Sequence, residues 1–169
     1  MMLSVSSIGY ANQEFGACNF IKEKVSSVIC YGPTILNETI VTGDVKVAGT
    51  LKASKVLIGS MTINGSADIQ NARVSGLVNV KGYMHASFVN FENDLRITTT
   101  KLDFDHTSVK GSVTISSDKI KPYFKIECGS DITGSVTFEG VPGVVQMTDD
   151  SAIHGKINNG EIEFVKTKC

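Results

Sequence analysis

The sequence predicts an all-β fold: a single-domain parallel β-solenoid whose coils hold about 16–18 residues, with covered ends. Three observations predict it. A short strand pattern recurs along most of the chain, glycine bounds most copies of that pattern, and the wealth of Val, Ile, Thr, Ser and Gly favours strands and tight turns over helices. Right-handed winding is the general expectation for parallel crossovers.

The repeat is clearest as six copies of a short strand, the first reading GDVKVAG and the last GSVTFEG. Successive copies start 16, 17, 17, 18 and 23 residues apart, at Gly43, Gly59, Gly76, Asn93, Gly111 and Gly134. In every copy the second and fourth residues after the start are apolar, and the residue between them is polar. A spacing of two is typical of a strand with one buried face, whereas a helix would need spacings of three and four.

Glycines at the ends of these strands predict sharp corners, because glycine tolerates a positive φ. Four copies also close on glycine, at Gly49, Gly65, Gly82 and Gly140. Asn93 replaces the first glycine of its copy, and Asn tolerates the left-handed region better than other residues do. We therefore expect Asn93 to adopt a positive φ.

The repeat divides the chain into segments, of which residues 42–157 form the solenoid body. Residues 12–41 are predicted to form an N-terminal cap and an atypical first coil, since Ile29 stands where a polar residue is expected. Residues 158–169 are predicted to form a C-terminal cap hairpin, because Asn159-Gly160 lies between two alternating stretches.

Residues 1–11 are apolar to neutral, end in small residues and resemble the latter part of a secretory signal peptide, with cleavage after Ala11. The usual positive n-region is missing, so a frayed first strand of a cytoplasmic chain is the alternative. We predict export to the periplasm, the envelope or the extracellular space. No apolar run reaches the roughly eighteen residues of a spanning helix, so no transmembrane span is expected.

Four cysteines, Cys18, Cys30, Cys128 and Cys169, favour two disulfides in an exported chain, and they allow three pairings. We favour Cys18 with Cys30 and Cys128 with Cys169, since each pair would tie a chain end to the body. Four unpaired thiols in a cytosolic protein are the alternative. The sequence has no CxxC and no zinc spacing, so metal binding through cysteine is not expected.

The candidate binding face consists of Asp103, Asp105, His106, Lys121 and Tyr123. The two aspartates lie two apart, so a strand would point both carboxylates the same way, towards a calcium ion or a sugar. A solvated face of exposed charge is the alternative. Lys121 and Tyr123 fall in the segment 118–128, the predicted insertion of the 23-residue step, and insertions in solenoids often lie on the binding face.

Composition and motifs exclude several classes of function. The net charge is −1 without a basic block, so no nucleic-acid partner is expected. The chain has no GxSxG, Walker or dinucleotide fingerprint, so we predict no catalytic residue, no metal site and no cofactor.

The stretch VTGDVKVAGTLKA and the copies after it, over residues 42–157, resemble bactofilins, the bacterial polymer-forming β-helix proteins. The resemblance implies end-to-end self-assembly without cofactor or catalytic residues. Surface adhesin-like solenoids share the same generic pattern, and an exported chain with four cysteines and uneven coils fits them better.

These observations favour a non-catalytic exported β-solenoid scaffold in the cell envelope or at the surface. It would bind a protein or polysaccharide partner, or associate with itself. One alternative is a bactofilin-like cytoplasmic polymer, and another is a carbohydrate-active β-helix enzyme that uses the face of Asp103 and Asp105.

Overall fold

The computed structural model describes residues 13–166 and residue 169, and within them all regular secondary structure is β-strand. The segment 1–11, with its signal-like pattern, lies outside the described residues. Parallel strands stack into a β-solenoid of about nine turns, which confirms the predicted fold class. In the part of the chain that the structure describes, no helix is long and apolar enough for a membrane span.

The strands of the described residues are, in chain order, β1 (Gln13–Phe15), β2 (Cys18–Ile21), β3 (Lys24–Val25), β4 (Val28–Tyr31), β5 (Thr34–Asn37), β6 (Ile40–Ser54), β7 (Leu57–Val74), β8 (Val78–Lys81), β9 (Met84–Phe91), β10 (Leu95–Thr98), β11 (Lys101–Asp105), β12 (Ser108–Val109), β13 (Val113–Ser117), β14 (Tyr123–Glu127), β15 (Asp131–Ile132), β16 (Val136–Gly140), β17 (Gly143–Met147), β18 (Ala152–Ile153), β19 (Ile157–Asn158) and β20 (Gly160–Phe164).

Each coil contributes to three walls. Wall A contains β1, β4, β8, β10, β13, β16 and β19. Wall B contains β2, β5, the first half of β9, β11, β14, β17 and β20. Wall C contains β3, the second half of β9, β12, β15 and β18. The long strands β6 and β7 run around the corners and take part in all three walls.

The six predicted copies lie in register on wall A. Their first apolar positions pair in sequence as Val45, Met61, Val78, Leu95, Val113 and Val136. These side chains are buried, and the polar residue that follows each of them faces outward. Equivalent strand positions therefore stack from coil to coil and form one continuous core, although no single coil could bury its own apolar face.

The glycines act in two different ways. Gly49, Gly65 and Gly82 close their strands with φ between 132° and 147°, as the sharp-corner argument predicts. The glycines that open the strands have no such φ and are needed for close packing alone, since a Cβ at Gly76 would lie 2.7 Å from the carbonyl oxygen of Gly59. The expectation for Asn93 is wrong: its φ is not positive, and its side-chain oxygen accepts a hydrogen bond of 2.9 Å from the Asp94 amide.

Both chain ends differ from the prediction. Residues 13–41 form regular coils, with Cys18 paired to Thr34 and Thr34 to Leu51, rather than a separate cap. The C-terminal hairpin is also wrong, because β20 runs parallel to β17 as the wall B strand of the last coil. Asn159 has φ 54° there, so the Asn-Gly pair turns one solenoid corner instead of reversing the chain.

The 23-residue coil takes its extra residues at corners. Tyr123, predicted to belong to the insertion 118–128, instead starts β14 and pairs with Lys101 of β11. Between walls A and B the preceding coil passes from Thr98 to Lys101, whereas this coil passes from Ser116 to Tyr123 through the segment 118–122. A corner can accept such residues because the ladders on either side keep their register, whereas an extra residue within a strand would shift it.

We expect Gly65→Ala to destabilise the protein strongly, because the added Cβ would meet the backbone carbonyl of Gly49 at a φ that L-residues rarely adopt. The expected loss is about 2–4 kcal/mol of unfolding free energy, measured by chemical denaturation. Gly16→Ala is the matched control at the same corner of the first coil, where φ is also positive but no heavy atom of the described residues lies within 4 Å of the added carbon. Equal losses in both variants would contradict the close-packing argument.

Candidate functional site

The outward side chains of three neighbouring wall B strands form a regular grid, which we call the wall B face. Its members are Tyr83, His85 and Ser87 on one coil, Lys101, Asp103 and Asp105 on the next, and Tyr123, Lys125 and Glu127 on the third. Register pairs Asp103 with His85 on one side and with Lys125 on the other. Asp103 therefore lies at the centre of the grid.

Asp103 is held by two neighbours and keeps one oxygen unused. The Tyr83 hydroxyl donates to Oδ2 over 2.8 Å, and the Lys101 ammonium lies 3.2 Å from the same oxygen. The Asp103 side chain is only 16% exposed, and its Oδ1 is buried without a hydrogen-bond partner among the described residues. A buried acceptor without a donor is costly, so Oδ1 gains a hydrogen bond if the Asp103 carboxylate turns to meet a ligand hydroxyl.

These contacts keep the Tyr83 phenol protonated. Burial of the phenol, together with its hydrogen bond to the Asp103 carboxylate and the negative charge of that group, raises the pKa of Tyr83 to about 12. The Lys101 ammonium lies 5.5 Å from the centre of the same ring. Tyr83 therefore acts as a hydrogen-bond donor and presents part of an aromatic surface at neutral pH.

A shallow depression of about 360 Å³ lies beside Asp103 on wall B. Its lining consists of Thr100, Lys101, Asp103, Ile120, Lys121, Tyr123, Lys125 and Gln146. Ile120 and Lys121 belong to the corner insertion, which therefore forms one rim over the wall. The structure thus brings three of the predicted residues, Asp103, Lys121 and Tyr123, to one place.

Each lysine of the depression faces a carboxylate. Lys121 lies 2.8 Å from Glu161 of β20, and Lys125 lies 2.8 Å from Glu127. The hydrogen bond between Lys121 and Glu161 raises the pKa of the lysine and lowers the pKa of the glutamate. With Asp103 beside Lys101, every lysine of the lining is paired, although Glu127 and Glu161 themselves lie outside the lining.

The other two predicted residues lie outside the depression. Asp105 accepts a hydrogen bond of 3.0 Å from Ser87, and its second oxygen lies 2.8 Å from Nδ1 of His106. His106 stands at the corner between walls B and C with φ 45°, and its ring stacks on Phe88 with centroids 4.3 Å apart. The predicted face is therefore two neighbouring groups, one around Asp103 and one around His106.

Sequence reasoning misses Tyr83 and Lys101. Both residues immediately precede the first buried residue of their wall B strand, as does Tyr123. That shared place is readable from the apolar alternation of Met84 with Ala86 and its counterparts on later coils. Counting residues from the preceding glycine does not find this position, because the corners between walls A and B differ in length from coil to coil.

The cysteines lie in the two favoured pairs at disulfide distance. Cys18 and Cys30 join walls B and A inside the first coils, with Cα atoms 6.3 Å apart. Cys128 and Cys169 are 5.5 Å apart between Cα atoms and hold residue 169 against the corner between walls B and C. No cysteine among the described residues is free.

Comparison with known proteins finds no matching family model, no matching curated protein and no matching solved structure. The protein is therefore described by its own architecture rather than by likeness to a known protein. It is a parallel β-solenoid with two cysteine pairs at disulfide distance and a polar-aromatic depression on one wall.

We expect Asp103→Asn to lower the pKa of Tyr83 from about 12 towards, but not to, its ordinary value of 10, because burial remains. The pKa of Tyr83 is measured from phenolate absorbance against pH, and the titration of the Tyr83→Phe variant is subtracted to remove the other tyrosines. Since the folded-state pKa is raised, the stability from Tyr83 is present below about pH 10 and is lost as the pH rises to about 12. Asp105→Asn is the control and should leave the titration unchanged; an unchanged Asp103→Asn variant would contradict the assignment.

Proposed function

We propose that the protein is an exported, non-catalytic β-solenoid scaffold that acts in the cell envelope or at the cell surface and binds a polysaccharide through wall B. The observation that carries the proposal is the depression around Asp103, where a buried carboxylate oxygen lacks a donor beside two partly exposed tyrosines.

The chemistry of the depression suits a hydroxyl-rich ligand. Tyr83 and Tyr123 are 39% and 45% exposed, so their rings can pack against the C–H face of a sugar. Oδ1 of Asp103 can accept a sugar hydroxyl once the carboxylate turns towards the depression, and Gln146 offers a further polar group at the rim. Aromatic contact combined with a few convergent polar groups is typical of a ligand site.

The charge of the lining favours a neutral chain. Three lysines would attract an anionic polymer if they were unpaired, but Lys101, Lys121 and Lys125 each face a carboxylate. A nucleic acid would require free positive charge along its path. A neutral polysaccharide requires none, and it can lie along wall B because equivalent positions repeat about every 4.8 Å.

The hydrogen bonds and charged contacts of Asp103 and Asp105 favour binding over glycoside hydrolysis. A hydrolase needs one carboxyl group that supplies a proton and a second that acts as base or nucleophile. Asp103 accepts from Tyr83 and faces Lys101, while Asp105 accepts from Ser87 and contacts His106. Both are held as acceptors, which supports a scaffold rather than the enzyme alternative.

Export is supported by the two cysteine pairs. Disulfides form and persist in oxidising compartments and are rare in the reducing cytosol. The pairs join Cys18 with Cys30 and Cys128 with Cys169, so every cysteine of the chain has a partner.

We expect the full-length chain, detected with an antibody in the cells that produce it, to appear outside the cytoplasmic fraction. Alkylation under denaturing conditions should modify none of its four cysteines before reduction and all four afterwards, because each is in a disulfide. A cytoplasmic chain with four free thiols would contradict export.

We expect Tyr123→Ala to weaken binding to the envelope polysaccharide of the producing cells by about fivefold or more, since an anchoring aromatic contact is worth about 1 kcal/mol or more. Affinity electrophoresis through gels that contain the polysaccharide measures the dissociation constant.

Tyr31→Ala is the matched control for Tyr123→Ala. Tyr31 is 46% exposed but ends a wall A strand, so its removal should leave migration unchanged. Two outcomes would refute the polysaccharide proposal: wild-type migration without retardation, or equal weakening by both substitutions.

A further inference from the structure

The corner between walls B and C stacks residues of successive coils, up to Cys128, in the left-handed region. Phe88, His106 and Cys128 occupy this place on three successive coils, with φ of 54°, 45° and 54°. The His106 amide donates to the Glu127 carbonyl over 3.3 Å, which sets His106 beside the coil of Cys128. The ring of Phe88 stacks on His106 from the preceding coil.

This stacking gathers side chains that ligate metals. One ligand atom from each of Asp105, His106 and Cys128 lies within 4.8 Å of the other two. Cys169 joins the same cluster through its bond to Cys128. One corner therefore holds two sulfur atoms, an imidazole and a carboxylate, which together form a complete ligand set for a tetrahedral zinc ion.

We propose that this corner is a redox-controlled metal site. When a dithiol opens the bond between Cys128 and Cys169, the two cysteines together with His106 and Asp105 bind one divalent ion of the zinc class. The site is independent of the proposed polysaccharide surface, because none of its four ligands lines the depression beside Asp103.

The redox step balances without a further reactant. The dithiol gives two electrons to the disulfide and becomes a cyclic disulfide, and its two protons pass to the sulfurs of Cys128 and Cys169. Binding of the divalent ion then releases those protons, because thiolates are the ligands. Sulfurs joined to each other are poor ligands, so the disulfide and the ion exclude one another at this corner.

The distances suit tetrahedral coordination after small side-chain rotations. Bonds of about 2.0–2.3 Å place neighbouring ligand atoms roughly 3.4–3.8 Å apart. Asp105 Oδ1 and His106 Nδ1 are 2.8 Å apart, and the widest separation in the cluster of three is at most 4.8 Å, so shifts of about 1 Å suffice for these three ligands. The sulfur of Cys169 must move further, because reduction has to separate it from the sulfur of Cys128 before both can bind one ion.

The absence of a zinc motif in the sequence has a topological explanation. His106 and Cys128 are neighbours on successive coils, and the coil that separates them contains the corner insertion. Motif spacings describe ligands within one turn or hairpin, so they do not detect ligands that parallel stacking brings together. The expectation that the cysteines bind no metal rested on spacing alone.

Cobalt(II) is the probe for the test, because tetrahedral thiolate ligation gives it visible absorption and a thiolate charge-transfer band. The full chain is reduced with an excess of dithiol, freed of the reagent without oxygen and titrated with cobalt. The proposal expects one ion per chain, displaced by zinc, with far-UV circular dichroism unchanged from the oxidised chain. The oxidised chain should give no such spectrum.

Variants separate the site from adventitious binding. His106→Ala and Cys128→Ser should each weaken cobalt binding tenfold or more and change the charge-transfer band. His154→Ala is the matched control, since His154 also contacts a carboxylate, Asp131 at 2.7 Å, but lies elsewhere. The double variant Cys18→Ser with Cys30→Ser controls for the other thiols, and both controls should bind as wild type.

Protection of individual thiols gives a second readout. Zinc should slow alkylation of Cys128 and Cys169 in the reduced chain but not of Cys18 and Cys30, as peptide mapping by mass spectrometry can show. The proposal is overturned if the folded, reduced chain binds no cobalt, if the oxidised chain binds it equally, or if His106→Ala and His154→Ala behave alike.

Discussion

Parallel, in-register pairing between successive coils is the constraint on which the whole structure depends. A single coil of this chain cannot bury its own apolar side chains, so each strand must present the same positions as the strands on either side. Corners must then bring backbones into close contact, which Gly65 and Gly76 allow because they lack a Cβ. The same register that builds the core also lines up outward side chains, and both polar clusters of the protein result from it.

Most of wall A could be predicted from the sequence, because its six central copies share strict alternation and five of them have glycine at one or both ends. Wall B was harder, since the corner before it varies in length, and Tyr83 was missed for that reason. Asp103, Lys121 and Tyr123 were identified by residue type, but only the structure shows that they share a depression. Asn159-Gly160 misled the prediction because the same positive φ serves a hairpin and a solenoid corner.

Function in this molecule is concentrated where the repeat departs from uniformity. The regular coils between Gly43 and Gly82 have no insertion, whereas the coil with the insertion places Ile120 and Lys121 above the wall B face. The same coil carries Cys128 to the next corner, beside His106. One irregular coil thus creates both the polysaccharide surface and the metal site that we propose, on adjacent parts of the surface.

The corner insertion at residues 118–122 also makes the shape of the ligand surface independent of the strand pairing that holds the fold together. Its length can change without shifting any ladder, because the strands before and after it keep their pairing partners. The outline of the depression can therefore be remodelled while the strand ladders of the solenoid stay the same. A chain built in this way can acquire a new ligand preference through a short loop, leaving the rest of its sequence under selection for stacking alone.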